Sequence, residues 1–261
     1  MPRPRHLLAS PFPSALLLPA LLLLAACTAA PAPTTAAPAA AAAAPAAVPY
    51  GDALHWARSS AEHEAVYLQT YRLAAERLRL RVEGLQPFTW AVSVDADETL
   101  LDNSLFEVEQ HRAGTSYDEG AFSAWVRRGQ AAALPGARDF LETVRGLGGK
   151  VAVVTNRSQA VCPETEANIR ALRLPVDVVL CKPLEGPSDK APRWQAIEQG
   201  RASKYLPPLD IVMWLGDNIQ DFPTGSQAWR NAPPEQFGRF GDAWFLFPNP
   251  VYGSWQRNPQ Q

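Results

Sequence analysis

Three short apolar runs in this chain each end abruptly in polar residues, and that pattern constrains the fold more than any other feature. Thr89-Trp-Ala-Val-Ser-Val runs into Asp95-Ala-Asp97-Glu-Thr99, and Lys150-Val-Ala-Val-Val into Thr155-Asn156-Arg157. Asp210-Ile-Val-Met-Trp-Leu runs into Gly216-Asp217-Asn218-Ile-Gln-Asp221. Val176–Leu180 and Ala243–Phe247 read as two further strands, and helical periodicity fills 136–147, 163–172 and 189–199. Strands that are apolar throughout, alternating with helices, predict an α/β fold with a Rossmann-like parallel sheet covered by helices on both faces. Such sheets bind ligands beyond the carboxyl ends of their strands, where the polar clusters fall. Ahead of the first strand, Asp52–Leu80 carries Ala, Trp, Tyr and Leu at helical spacing and is predicted as one amphipathic helix.

The N-terminal residues belong to no such fold. Arg3, Arg5 and His6 precede an apolar run from Leu16 to Ala26, too short to span a bilayer, so residues 1–26 read as a secretory signal. The run ends in Leu24-Ala25-Ala26-Cys27, which resembles a bacterial lipobox and implies that Cys27 carries lipid. Residues 27–49 are almost entirely Ala, Pro and Thr, a composition with too little large apolar surface to fold, and read as a tether. The folded part is therefore expected at 50–261. Thr28, rather than an aspartate, follows the cysteine, which favours the outer membrane for the anchor in a two-membrane envelope.

Charge is nearly balanced, with 24 basic and 26 acidic residues and no Lys/Arg blocks, which argues against nucleic-acid binding. No Cys/His cluster has zinc-site spacing. The chemistry of the polar clusters suits a phosphomonoester. Its loose transition state is served by alignment and charge stabilisation. A carboxylate nucleophile divides hydrolysis into two steps, a divalent cation and a lysine offset the repulsion between carboxylate and phosphate, and one acid/base serves both steps.

Asp95-Ala-Asp97-Glu98-Thr99-Leu-Leu-Asp102-Asn103-Ser104 resembles the first motif of the haloacid-dehalogenase phosphatases. More narrowly, it is similar to the bacterial class C acid phosphatases, the surface-lipoprotein 5′-nucleotidase family. Thr155-Asn156-Arg157 resembles the second motif, Lys190 the third, and Gly216-Asp217-Asn218-x-x-Asp221-Phe222 the fourth. The likeness runs from Ser60-Ala-Glu62 to Trp255. It implies that Asp95 is the nucleophile and a Mg²⁺ ligand, and that Asp97 is the acid/base with its backbone carbonyl on the metal. It also implies Asp217 as a further ligand, with Asp221 as ligand or orienting neighbour. Thr155 would donate to the phosphoryl oxygens and Lys190 would bridge nucleophile and phosphate. Lys182, directly after the third strand, is a rival for that lysine. Asn156 and Arg157 are placed at the substrate, although Arg157 can equally pair with an acid, and Asn218 can serve to position one.

Between the first two motifs, about 103–135, the superfamily inserts a cap, here with Phe106, Tyr117, Phe122 and Trp125. The resemblance implies an aromatic clamp on a nucleoside base, for which Trp125 and Tyr252 are the candidates, and nucleoside monophosphates or other small phosphomonoesters as substrates. Cys162 and Cys181 can form a disulfide if their strands are neighbours, the alternative being two unpaired thiols. The competing reading of the whole chain is a surface lipoprotein that binds a nucleotide or haem without turning it over.

Overall fold

The computed structural model describes residues 49–260. The expected signal segment, the Cys27 lipid site and all but the last residue of the tether lie outside the described residues.

The first helical stretch is two helices, α1 (Asp52–Ser59) and α2 (Ala61–Arg81), where one continuous helix was expected. Ser60 causes the break. Its backbone is extended and its side chain accepts a hydrogen bond from the His63 amide at 3.0 Å, capping α2. Strand β1 (Trp90–Val94) leads into a short β2 (Leu101–Asp102), then α3 (Ser104–Ala113), α4 (Glu119–Arg128) and β3 (Ala132–Ala133). Helix α5 (Ala137–Gly146), β4 (Lys150–Ser158), α6 (Cys162–Ala171), β5 (Val178–Lys182), α7 (Ala191–Glu198), β6 (Asp210–Gly216) and β7 (Trp244–Leu246) follow.

The main sheet has the order β5-β4-β1-β6-β7 and is parallel throughout. Alternate residues of its strands enter opposite layers. Val92, Val94, Val151, Val153, Met213 and Leu215 pack with Tyr71 and Leu78 of α2 and with Phe140 and Val144 of α5. Ala91, Ala152, Val154 and Ile211 face Trp194 and Ile197 of α7 on the other side. This two-sided burial explains why the strands carry no polar alternation.

After β1 the chain moves outward through β4 and β5, then returns to the other side of β1 with β6. The strand order therefore reverses between β1 and β6, and at such a point the loops diverge and leave a crevice. Val94 pairs with Val153 on one side and Leu215 on the other, so the first, second and fourth clusters emerge at one edge. The second cluster lies inside β4 rather than beyond it, because the strand continues to Ser158 with a register irregularity after Val154.

The insertion expected at 103–135 leaves and returns through the antiparallel pair β2–β3, in which Leu101 faces Ala133 and Asp102 faces Ala132. Phe106, Trp125 and Val126 join the main core, so the insertion is packed onto the body. Cys162, at the start of α6, and Cys181, in β5, form a disulfide with Cα atoms 6.0 Å apart.

Candidate active site

Asp95 follows β1 directly, and its amide donates to the Leu215 carbonyl of β6 at 2.9 Å, extending the sheet into the loop. Beyond it the chain turns sharply. The amides of Leu100 and Leu101 both donate to the Ala96 carbonyl, and Glu98 takes a left-handed φ of 45°. Two tyrosines of α2 brace this turn from below: Tyr67 donates to the Glu98 carbonyl at 2.6 Å and Tyr71 to that of Thr99 at 2.5 Å. The side chain of Glu98 turns inward, where its oxygens accept from the amide and side chain of Asn103.

On the fourth cluster, Asn218 caps a single 3₁₀ turn, Ile219–Asp221. The Asp221 carboxylate accepts from the Asn218 amide at 2.8 Å, and the Asn218 side-chain oxygen accepts from Gln220 N and from Ser254 Oγ. A Cβ built on Gly216 would lie 2.3 Å from that of Asp221, so the acid can fold back only over a glycine. Asp217 accepts from Asn249 Nδ2 at 2.8 Å, and Asn249 Oδ1 accepts from the amides of Val251 and Tyr252. The Tyr252 segment is thus tied to this acid.

Of the two candidate lysines, Lys190 is the one that pairs with the acids. Its buried ammonium lies 2.5 Å from Asp95 Oδ1 and 2.6 Å from Asp221 Oδ1. Arg193, three residues on and buried, fixes that lysine loop to the second cluster. It donates to the Thr155 carbonyl, to Asn156 Oδ1 at 2.7 Å, and to the carbonyls of Ser188 and Asp189. Thr155 is fully buried and its hydroxyl oxygen accepts from the Arg157 amide, while Asn156 is exposed.

Of its two readings, Arg157 shows the pairing with an acid. It is buried and donates through Nε to Asp97 Oδ1 at 2.8 Å and through Nη2 to Asn103 Oδ1 at 3.0 Å. Trp125 is also displaced from the role expected of it. Its ring is buried, 2 % exposed, its indole N–H donates to Asn103 Oδ1 at 2.8 Å, and the Arg128 guanidinium lies 4.6 Å from the ring centre. A base cannot stack on a covered ring. The open aromatic of the insertion is Tyr117, 66 % exposed and paired with Phe122, whose ring faces Arg157 at 5.7 Å. Partial burial raises the pKa of the Tyr117 phenol, and the charges of Glu119 and then Asp97 add to it.

Charge is concentrated here. Burial pushes Asp95 up to about 7, against the pull of Lys190, and the charges of Asp221 and Asp97 push the same way. Asp217 is held well above the usual carboxylate range by burial and then by Asp221 and Asp95. Glu98 is raised too, by burial and by Asp97 and Asp217. Burial opposes the Lys190 charge, but Asp221 and Asp95 outweigh it and raise its pKa.

Asp95, Asp217 and Asp221 each bring an oxygen within 4.8 Å of the others. Three carboxylates against one ammonium leave excess negative charge, and all-oxygen donors are what hard divalent cations prefer. The donor set fits a divalent metal.

The family model for the HAD superfamily, subfamily IIIB (acid phosphatase), matches residues 18–255. The chain belongs to that family. Among solved structures it is similar to the class C acid phosphatase from Bacillus anthracis, at 29 % identity and a TM-score of 0.69, over 78 % of this chain and 85 % of that one. A second structure of the Bacillus anthracis enzyme, with tungstate bound, matches at 27 % identity and a TM-score of 0.69, with the same coverage. This acid phosphatase is therefore a phosphoric monoester hydrolase with the parallel α/β fold of its class.

Glu98, Asn103, Arg193 and Asn249 complete the site as partners of its acids and loops. Glu98 and Asn103 lie within the first motif and Arg193 follows Lys190 by three residues, whereas no local pattern marks Asn249.

Proposed function

We propose that this phosphatase works through a phosphorylated Asp95, with Mg²⁺ held by Asp95 and Asp217 beside Asp221 and the Asp97 carbonyl. The observation that carries the proposal is the meeting of Asp95, Lys190, Asp217 and Asp221 at the crevice where the strand order reverses. The free oxygen of Asp95 attacks phosphorus, and Lys190 offsets the negative charge that gathers as the two anions approach. Asp97 delivers a proton to the departing alcohol and later takes one from the water that attacks the phosphoenzyme. The Thr155 hydroxyl donates to the phosphoryl oxygens, helped by backbone amides after Asp95, and Asp221 keeps Lys190 charged and aligned. Bound Mg²⁺ would supply the positive charge that lets Asp95 stay ionised next to a phosphate dianion. Tungstate in the Bacillus anthracis relative, a tetrahedral oxyanion like phosphate, supports the same reading.

Nucleoside monophosphates and other small phosphomonoesters are the proposed substrates, with Tyr117 in place of Trp125 and Tyr252 from the C-terminal segment as stacking surfaces. Base–aromatic stacking contributes about 1–3 kcal/mol per base and is tolerant of base identity. Lipidation at Cys27 would hold the enzyme on the envelope, outside the cytoplasm. Phosphate release from AMP and from an aryl phosphate, with Mg²⁺ and with chelator, tests the chemistry. Activity in Asp95→Asn, or activity that survives full chelation, overturns it. Labelling of the intact protein with palmitate, lost in Cys27→Ser, tests the anchor.

A further inference from the structure

Lys190 pairs with Asp95 and Asp221 but makes no ion pair with Asp97. Two donors converge instead on a single oxygen of it: Asn103 Nδ2 reaches Oδ1 at 2.7 Å and Arg157 Nε reaches the same Oδ1 at 2.8 Å. Oδ2 accepts no hydrogen bond among the described residues, and the side chain is 19 % exposed. Neither donor is free to choose another orientation. The Asn103 oxygen accepts from Trp125 Nε1 at 2.8 Å and from Arg157 Nη2 at 3.0 Å, so its NH₂ must face the carboxylates of Asp97 and Glu98. The Asn103 amide is tied to Glu98 Oε1 at 2.8 Å, and Arg157 also meets Thr165. All the polar atoms of Asn103 that could turn the side chain over are committed.

We infer that Asn103 and Arg157 are positioning residues for Asp97, which saturate Oδ1 and thereby make Oδ2 the single oxygen through which protons move. An oxygen that already accepts from a guanidinium and an amide would have to turn an O–H against one of these donors to hold a proton. The proton therefore resides on Oδ2, on the open side of the carboxyl. On bond breaking it passes from Oδ2 to the alkoxide oxygen as the P–O bond parts, leaving the carboxylate to accept a proton later from water. Trp125 acts one step further back, by fixing the amide of Asn103. This inference rests on Asp97 being the acid/base of the proposed mechanism.

The effect to be measured is selective for poor leaving groups, which need the proton, and small for good ones, which do not. The experiment compares kcat/KM for 4-nitrophenyl phosphate and for a simple alkyl phosphate in the Mg²⁺-loaded enzyme. Asp97→Asn is the reference. It should lose at least about 100-fold more on the alkyl ester than on the nitrophenyl ester, within the range general acid catalysis supplies. Asn103→Ala and Arg157→Met should show the same preference, about 10-fold or more. Added to Asp97→Asn, each should cost no further alkyl selectivity, since residues acting through one group are not additive. Trp125→Phe keeps an aromatic ring in place but removes the indole N–H together with part of the bicyclic ring. It should shift selectivity in the same direction by a few-fold, and it reports even if the Arg157 variant fails to fold. Equal losses on both esters in Asn103→Ala and Trp125→Phe, with Asp97→Asn still selective, would make these residues merely structural and overturn the inference. No selectivity in Asp97→Asn itself would instead remove the role of Asp97 on which the inference stands.

Discussion

The ammonium of Lys190 lies 2.5 Å from Asp95 Oδ1, with both groups buried. The lysine stands 95 residues from its partner, at the head of a helix on the opposite layer of the sheet from the tyrosines that brace the Asp95 loop. Breaking such a pair on one side leaves uncompensated charge and typically costs about 3–5 kcal/mol. Lys190→Met is therefore expected to lower thermal stability sharply in chelator, with Asp95, Asp217 and Asp221 left to repel each other. Mg²⁺ should restore part of the stability but little of the activity. A melting temperature that is unchanged in chelator would contradict the ion pair.

The metal-free enzyme should lose stability as pH rises. Asp95 goes from its ordinary 3.8 to about 7 in the folded protein, chiefly by burial. Its contribution is thus fully present below about pH 4 and lost as pH climbs through 7, because the folded state holds a proton that the unfolded chain has released. Asp217, raised for the same reason, adds to the effect. A divalent cation replaces the protons, so the Mg²⁺-induced rise in melting temperature should be larger at pH 8 than at pH 5. Scanning calorimetry in chelator and in Mg²⁺ at both pH values measures it; an equal increment at both would refute the assignment.

Trp125 and Tyr117 should separate stability from substrate choice. Trp125→Ala empties a packed position and is expected to destabilise by about 3–5 kcal/mol, lowering turnover of AMP and of a small alkyl phosphate together. Tyr117→Ala removes an exposed ring and should leave the melting temperature within a degree or two. It should raise KM for AMP by about 5- to 30-fold, from the loss of about 1–2 kcal/mol of stacking, with far less change for a small alkyl phosphate. An equal rise for both would place the leaving group elsewhere.

The disulfide links Cys162 of α6 to Cys181 of β5 across a sequence separation of 19. In the chain-entropy view a loop of that size stabilises by about 3 kcal/mol. Cys162→Ser/Cys181→Ser should unfold at lower denaturant with kcat/KM nearly unchanged below the transition, since neither sulfur touches the acids. Chemical denaturation with and without reductant on the parent enzyme should give the same difference.

Much of this molecule was readable before its folding was known, and the reason is local. β1, β4 and β6 are buried on both faces, so their apolar runs stand out, and the acids that follow β1 and β6 fall where the sheet stops covering the chain. Ser60 broke the first helix where the apolar spacing ran on, because a cap competes with helix through a single hydroxyl and leaves periodicity intact. Aromatic spacing marked Trp125 and Tyr117 alike. Only packing against Phe106 and the bond to Asn103 separated the covered ring from the open one. Arg157 illustrates the same limit. Its side chain finds Asp97 across 60 residues, and no local pattern distinguishes that partner from a phosphate.

Gly216 carries no functional atom, yet the ion pair of Lys190 with Asp221 depends on what it lacks. A methyl group there would occupy the space of the Asp221 side chain and force the 3₁₀ turn outward, taking the acid from the lysine. Among descendants of this sequence, an alanine at 216 would mark an enzyme silenced with every one of its acids still in place.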